Sequence, residues 1–258
     1  MPINLLIKNF LFYKHELNFS IKINSVIKNS NNQEEIKILE KFKNEGFFII
    51  ENILNKEQLE KINYELNDKF KLDSTSKENR VGGIRFPNVE KNFPELKNYF
   101  FSNDQINKIL LIFYDNYHNY FQKLVYQKSY YDQKVSNLDK KKIGLGREWH
   151  CDSWKNEIKL MMFLNDITID NGPLEIIPGS NIVKKNPIRK QYLKNIFKTI
   201  YPSNFNSDLL YFDQISDNIE KKKIVGKAGS IAIFNTRLLH RASFLKKGFR
   251  DVIWAYFK

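Results

Sequence analysis

A mainly β, α+β chain is predicted by three features of the sequence. Amphipathic helical periodicity occurs up to residue 121, most apolar runs with strand character follow it, and Asn, Gly and Pro punctuate those runs. With 258 residues, 42% of them hydrophobic, the chain can fill one large core, and a single domain is expected over 1–258.

Taken in order, residues 1–32 mix apolar and polar positions without a clear period, and Asn29-Ser30-Asn31-Asn32 reads as a turn or linker. Residues 1–35 are thus expected to be an N-terminal extension, an extra strand or a lid of unassigned role, ahead of a core over 36–258. Residues 35–42 form an amphipathic helix closed by Gly46, and the aromatic and β-branched run 47–50 is a buried strand. Asn55 caps a second helix that starts at 56. The polar stretch 74–87, with Gly82-Gly83, reads as a loop over a site, and its Arg80 and Arg85 are either contacts for an anionic substrate or solvated arginines.

Residues 104–121 repeat apolar side chains at helical spacing, with Ile106, Ile109, Leu110, Ile112, Phe113 and Tyr117 on one side. His118 lies on this pattern among core aromatics and reads as a packed or half-exposed residue, not a ligand. Residues 121–130 alternate as a strand, which puts Leu124, Tyr126, Lys128 and Tyr130 on one face against Val125, Gln127 and Ser129 on the other. Gln127 is a candidate cosubstrate contact, or an ordinary strand glutamine. Residues 157–164 make another buried strand, and 170–180 read as turn, short strand and turn.

The chemistry concentrates in His150-Cys151-Asp152. The chain has four histidines, and here one stands two residues from an aspartate, so that both side chains face the same way if the backbone is extended. That is a metal-ligand spacing, although such a pair alone also suits a surface hydrogen bond. The stretch 229–240 reads as a buried strand running into His240, and Arg250 opens a last strand over 250–257. Two neutral imidazoles and one carboxylate, with other positions open, suit non-haem Fe(II). His150, Asp152 and His240 can supply that set. If the last turn centres near Leu245, His240 and Arg250 become cross-strand neighbours. The Arg250 guanidinium then grips a carboxylate whose other end reaches the metal, as a 2-oxoglutarate cosubstrate requires. Arg237 and Arg241 are the alternative anchors.

Bulk properties bound the partners. The net charge of +13 includes lysine runs at 140–142, 184–185 and 221–223, yet lysine is dispersed through the whole chain, which reads as a solvated surface. Nucleic acid is not expected, because no basic helix or aromatic-rich groove concentrates the charge. Cys151 is the one cysteine, the apolar run at the N-terminus breaks too early for a signal peptide, and no stretch reaches the roughly 18 apolar residues of a membrane span. A cytoplasmic protein is expected, with no oligomeric state implied.

Trp149-His150-Cys151-Asp152, then Asn171-Gly172-Pro173-Leu174-Glu175-Ile176-Ile177-Pro178-Gly179-Ser180, then Gly229 to His240, then Arg250, resemble in their order the phytanoyl-CoA dioxygenase family of Fe(II)/2-oxoglutarate-dependent oxygenases. The opening from Phe42 to Leu59 is similar too, so the resemblance spans residues 36 to 258. It implies a double-stranded β-helix (jelly roll, cupin-like) with helices packed on the major sheet. It implies Fe(II) held by His150, Asp152 and His240, 2-oxoglutarate anchored by Arg250, and O2 as the oxidant. The family often carries a hydroxyl residue two positions after the distal histidine; here that place is Ala242, and the hydroxyl stands at Ser243.

Because Asp152 is an acid, no ligand position is left for chloride, and hydroxylation is favoured over halogenation. The expected reaction is hydroxylation of an aliphatic carbon of an anionic small molecule bearing a carboxylate or phosphate, with release of succinate and CO2. Arg80, Arg85 and Trp154 are its candidate contacts. Desaturation, cyclisation or epimerisation by the same oxidant is the alternative outcome, and a non-catalytic jelly-roll binding module the alternative class.

Overall fold

The computed structural model describes residues 3–72, 78–80, 83–131, 148–153, 155–187, 190, 193, 210–212 and 215–257. Five helices come first: α1 (Ile3–Asn29), α2 (Gln33–Glu45), α3 (Lys56–Leu72), α4 (Leu96–Phe101) and α5 (Asp104–Phe113), interleaved with β1 (Phe47–Ile50), β2 (Glu78–Arg80) and β3 (Gly83–Pro87). β-Structure dominates the described residues that follow. It comprises β4 (Phe121–Tyr130), β5 (Trp149–Cys151), β6 (Ile158–Phe163), β7 (Leu174–Ile176), β8 (Leu210–Phe212), β9 (Lys222–Ile224), β10 (Ile231–Asn235), β11 (His240–Ala242) and β12 (Phe249–Phe257).

The strands form two antiparallel sheets, a large one in the order β1-β10-β6-β12-β4-β3-β2 and a small one in the order β8-β5-β11-β7-β9. Alternation along each strand of the large sheet feeds two separate cores. Leu124, Tyr126, Ile158, Leu160, Met162, Ile253 and Ala255 face the helices, whereas Val125, Met161, Phe163, Val252 and Trp254 face Leu174, Ile176 and Ile224 of the small sheet. This is the jelly roll that the family resemblance implies, with helices on the outer face of the major sheet.

Local chemistry explains the helix boundaries. The Asn32 side chain accepts hydrogen bonds from the Glu34 and Glu35 amides and so starts α2. Gly46, at φ +82°, ends the helix in the left-handed conformation and hands the chain to β1. Asn55 and Gln58 exchange side-chain and backbone hydrogen bonds at the start of α3, a reciprocal cap.

Several sequence expectations need correction. Residues 3–29 are a helix, not a strand. Phe10, Leu17 and Ile21 are exposed while Phe19 and Ile23 are buried, so its apolar residues lie all around and leave no period to read. The Phe19 ring packs on Phe42 of α2 and Phe113 of α5, and the boundary drawn at residue 35 falls inside α2. The stretch 74–87 contains the β2–β3 hairpin, whose register pairs Asn79 with Ile84 and which extends the large sheet through β4. The helical pattern over 104–121 stops at Phe113, where Tyr114 takes an extended conformation; a short 3-10 turn over Tyr117–Asn119 holds His118 against Tyr117 and Phe101.

The run 229–240 is not one strand. β10 ends at Asn235, and the side chain of Asn235 accepts from the Arg237 amide to turn the chain. His240 then begins β11 in the other sheet. Arg250 therefore lies on β12 opposite Ser129 of β4, and His240 lies on β11 opposite His150. They are not cross-strand neighbours but stand on facing sheets.

Candidate metal centre

Two adjacent strands of the small sheet deliver the three donors. β5 and β11 pair antiparallel with His240 in register with His150, which brings the imidazole centroids to 4.3 Å. The neighbours of His150 on β5, Trp149 and Cys151, point to a separate core that includes Ile177, Phe212 and Leu239. His150 itself thus faces the gap between the sheets. Asp152 follows β5, where its amide donates to the Thr236 carbonyl at 3.0 Å and turns the carboxylate back towards the histidines.

The protonation pattern leaves the metal-facing atoms open. His150 Nδ1 lies 2.8 Å from the Glu148 carbonyl and His240 Nδ1 lies 2.8 Å from the Leu238 carbonyl. A carbonyl oxygen only accepts, so each Nδ1 carries the proton and each Nε2 presents a lone pair. His150 Nε2 is 3.6 Å from Asp152 Oδ1, and His240 Nε2 is 3.5 Å from Oδ2. One donor atom from each residue lies within 4.8 Å of the other two, a spacing that a single ion spans.

Electrostatics favour the charge states that a divalent ion needs. Burial pushes the Asp152 carboxyl up, but the Lys159 ammonium at 2.6 Å outweighs it and holds it well below the usual carboxylate range. Burial, reinforced by His150, lowers His240 and keeps it neutral, although Asp152 offsets part of the effect. A carboxylate between two imidazoles whose Nδ1 atoms are tied to backbone carbonyls is a donor set that fits Fe(II).

Arg250 approaches from the large sheet and is buried. It donates to the Gly172 carbonyl, and the Ser243 amide donates to the Pro173 carbonyl at 3.0 Å, so Arg250 and Ser243 meet the same turn. Gly172 sits at φ +77°, and a Cβ there would come within 2.6 Å of Leu245 Cδ1; only glycine lets this turn sit under Arg250. Gln127 lies on the inner face, where its Oε1 accepts from Trp254 Nε1 at 3.2 Å and its Nε2 donates to Ser129 at 3.3 Å.

The remaining candidates divide. Arg85 reaches the inner face and donates to the Tyr256 hydroxyl. The backbone of Arg80 belongs to β2, but its side chain and the whole of Trp154 lie outside the described residues. Of the alternative anchors, Arg241 pairs with Glu175 at 2.6 Å and covers Trp149, and fully buried Arg237 lies 3.6 Å from Glu16 of α1. Sequence reasoning misses Lys159, whose Nζ is 2.6 Å from Asp152 Oδ2. A signal for it exists: Lys159 interrupts the apolar strand Ile158-Lys159-Leu160-Met161-Met162-Phe163 on the phase that carries Met161 and Phe163 into the interior.

Residues 42–244 match the phytanoyl-CoA dioxygenase (PhyH) family. No curated protein matches the chain in sequence. Among solved structures, the chain is similar to the epimerase SnoN in complex with Fe3+, alpha ketoglutarate and nogalamycin RO, at a TM-score of 0.59 and 10% identity over 87% of this chain and 84% of that one. It is similar to the alpha ketoglutarate dependent carbocyclase SnoK from nogalamycin biosynthesis, at a TM-score of 0.58 and 12% identity over 90% and 85% of the two chains. HygX from Streptomyces hygroscopicus, with nickel and 2-oxoglutarate bound, has a TM-score of 0.55 and 13% identity over 88% and 86%. At these identities the likeness is one of fold.

Proposed function

The chain belongs to the phytanoyl-CoA dioxygenase family, an enzyme family of the iron- and 2-oxoglutarate-dependent class, and on that premise we propose that it hydroxylates an aliphatic carbon of an anionic small molecule. His150, Asp152 and His240 hold the Fe(II) in this reading, and Arg250 anchors the distal carboxylate of 2-oxoglutarate. The observation that carries it is the convergence of two imidazole Nε2 atoms and one carboxylate, with a buried arginine on the facing sheet. Bound there, iron and 2-oxoglutarate supply the power to activate O2 and oxidise an unactivated C–H bond, with succinate and CO2 as coproducts.

The protein's own residues orient and exclude. The two Nδ1–H groups, tied to backbone carbonyls, fix both rings so that no reorganisation is needed when an ion arrives. The Gly172 carbonyl holds the Arg250 guanidinium, Ser129 lies opposite Arg250 on β4, and Ser243 is bonded through its backbone to the same turn. Phe234, which meets His240 edge-on at 5.4 Å, together with Val252 and Trp254 makes an apolar wall that keeps water from the reacting centre.

Membership of an enzyme family sets aside the non-catalytic binding module. A second outcome of the same chemistry is supported by the fold likeness to an epimerase and a carbocyclase, for which epimerisation, cyclisation or desaturation replaces hydroxylation. Product mass distinguishes them. With Fe(II), 2-oxoglutarate and a panel of phosphorylated and carboxylated small molecules, the true substrate stimulates succinate formation and gains one oxygen atom. A product lighter by two hydrogens, or isomeric with the substrate, moves the second outcome to the front, and no stimulation by any anionic compound overturns the substrate class.

A further inference from the structure

We propose that Lys159 and Arg85, which bracket Tyr256 on the inner face of the large sheet, form the subsite for the substrate's anionic group; this deepens the oxygenase reading above and rests on it. The inner face of β12 presents Arg250, Val252, Trp254 and Tyr256 in turn. At about 3.4 Å per residue, the six residues from Arg250 to Tyr256 separate the two ends by roughly 20 Å of strand. A five-carbon dicarboxylate anchored at Arg250 is much shorter than that. Arg85 and Lys123, which meet the Tyr256 ring, are left for a different ligand.

That charge is concentrated, and among the described side chains the cations outnumber the acids that meet them. Lys159, in register with Tyr256, places Nζ 4.5 Å from the Tyr256 ring centroid and 5.3 Å from that of Trp254. Arg85 donates to the Tyr256 hydroxyl and lies 5.6 Å from the ring, and Lys123 approaches the same ring at 6.0 Å. Against these three cations, the carboxylate that meets any of them among the described residues is Asp152, on Lys159. When Asp152 binds a metal cation its charge is shared, and Lys159 loses much of its counter-charge inside a largely buried site. An oxyanion on the substrate restores the balance where water cannot do so fully.

The placement also says where the reaction falls on the molecule. Lys159 Nζ touches a ligand carboxylate of the proposed metal site, so an anion held by Lys159 and Arg85 brings its neighbouring carbons beside the metal. The oxidised carbon then lies only about two to four bonds from the anionic group, because a reactive geometry needs van der Waals approach. The faces of Trp254 and Tyr256 flank the cations and suit an aliphatic segment between the two.

Inorganic phosphate is the probe. Protein loaded anaerobically with Fe(II) and 2-oxoglutarate is titrated with phosphate at constant ionic strength, by calorimetry and by the shift of the visible band of the iron–2-oxoglutarate complex. The wild-type protein is expected to bind saturably, and Arg85→Met and Lys159→Met each to weaken binding about tenfold. Lys184→Met, at an exposed lysine, changes nothing. Arg85→Met leaves the triad untouched and tests the subsite even if Lys159→Met loses metal. Absence of saturable phosphate binding, or equal binding in wild type and Arg85→Met while the band persists, overturns the subsite and leaves the oxygenase reading intact. A folded wild-type protein without the band overturns that reading instead, and calorimetry of phosphate on the metal-free protein still reports on the subsite.

Discussion

The small sheet presents its functional groups at one point, through very short strands, while the large sheet spreads its own along β12 and its neighbours. β5 and β11 are three residues each, and a single register pair, His150 with His240, sets both imidazoles. On the large sheet Arg250 stands at one end of the inner face and Tyr256, with Lys159 and Arg85, near the other. The contrast assigns different tolerances. A group on the small sheet has no substitute when removed, whereas loss of a group on the large sheet weakens one ligand and leaves the others.

The largest expected effect breaks the small sheet's contribution. Asp152→Ala removes the one carboxylate of the donor set and is expected to abolish metal binding and turnover, while circular dichroism shows the fold retained. Full turnover in that variant would place the metal elsewhere. On the large sheet, Arg250→Ala is expected to raise the 2-oxoglutarate requirement about a hundredfold, since it deletes a buried charge partner, with Fe(II) affinity little changed. Equal losses of both affinities would erase the distinction between the sheets.

A smaller effect tests the turn that joins the two contributions. Gly172→Ala forces a Cβ towards Leu245 at φ +77° and is expected to cost about 1–3 kcal/mol of stability in denaturant melts, together with weaker 2-oxoglutarate binding through Arg250. A variant as stable as wild type would mean that the turn yields easily and does not depend on glycine.

The smallest effect is the pH dependence that the donor residues of the small sheet contribute. His240 is held below its ordinary value of 6.5 in the fold, so below that pH the unfolded chain binds more protons than the native one. Stability of the metal-free protein therefore falls as pH drops below 6.5 and is flat in this respect above it. Asp152, held low, adds a second loss only under stronger acid, as pH falls below its ordinary 3.8. His240→Gln should reduce the first loss, of which His15, also held low by burial, keeps a part, and leave the second, as followed by thermal melts across pH.

Much of the fold and of the donor set is legible in the sequence. The cap at Asn55, the glycine stop at Gly46, the strand over Phe121–Tyr130 and its two faces follow from local rules, and the structure has them. The three residues that converge are legible too, because histidine is scarce and His150-x-Asp152 is a short-range spacing. What stays hidden is long-range. Reading 229–240 as one strand overlooks the turn made by Asn235, and with it the switch of sheets that puts Arg250 across from His240 and not beside it. α1 escapes a periodicity reading because its buried and exposed apolar residues blur the helical period. Lys159 escapes because its partner, Asp152, lies on a separate strand connection, although a lysine on an inward strand phase is itself a signal.

The most direct measurement is anaerobic. Metal-free protein receives Fe(II) and then 2-oxoglutarate, and the weak visible charge-transfer band of the chelated complex is recorded for the wild-type and Asp152→Ala proteins. One equivalent of iron giving the band in wild type, and none in Asp152→Ala, is the predicted result. A folded wild-type protein that shows no band, or an Asp152→Ala protein that shows it undiminished, would contradict the assignment of His150, Asp152 and His240 as the metal site.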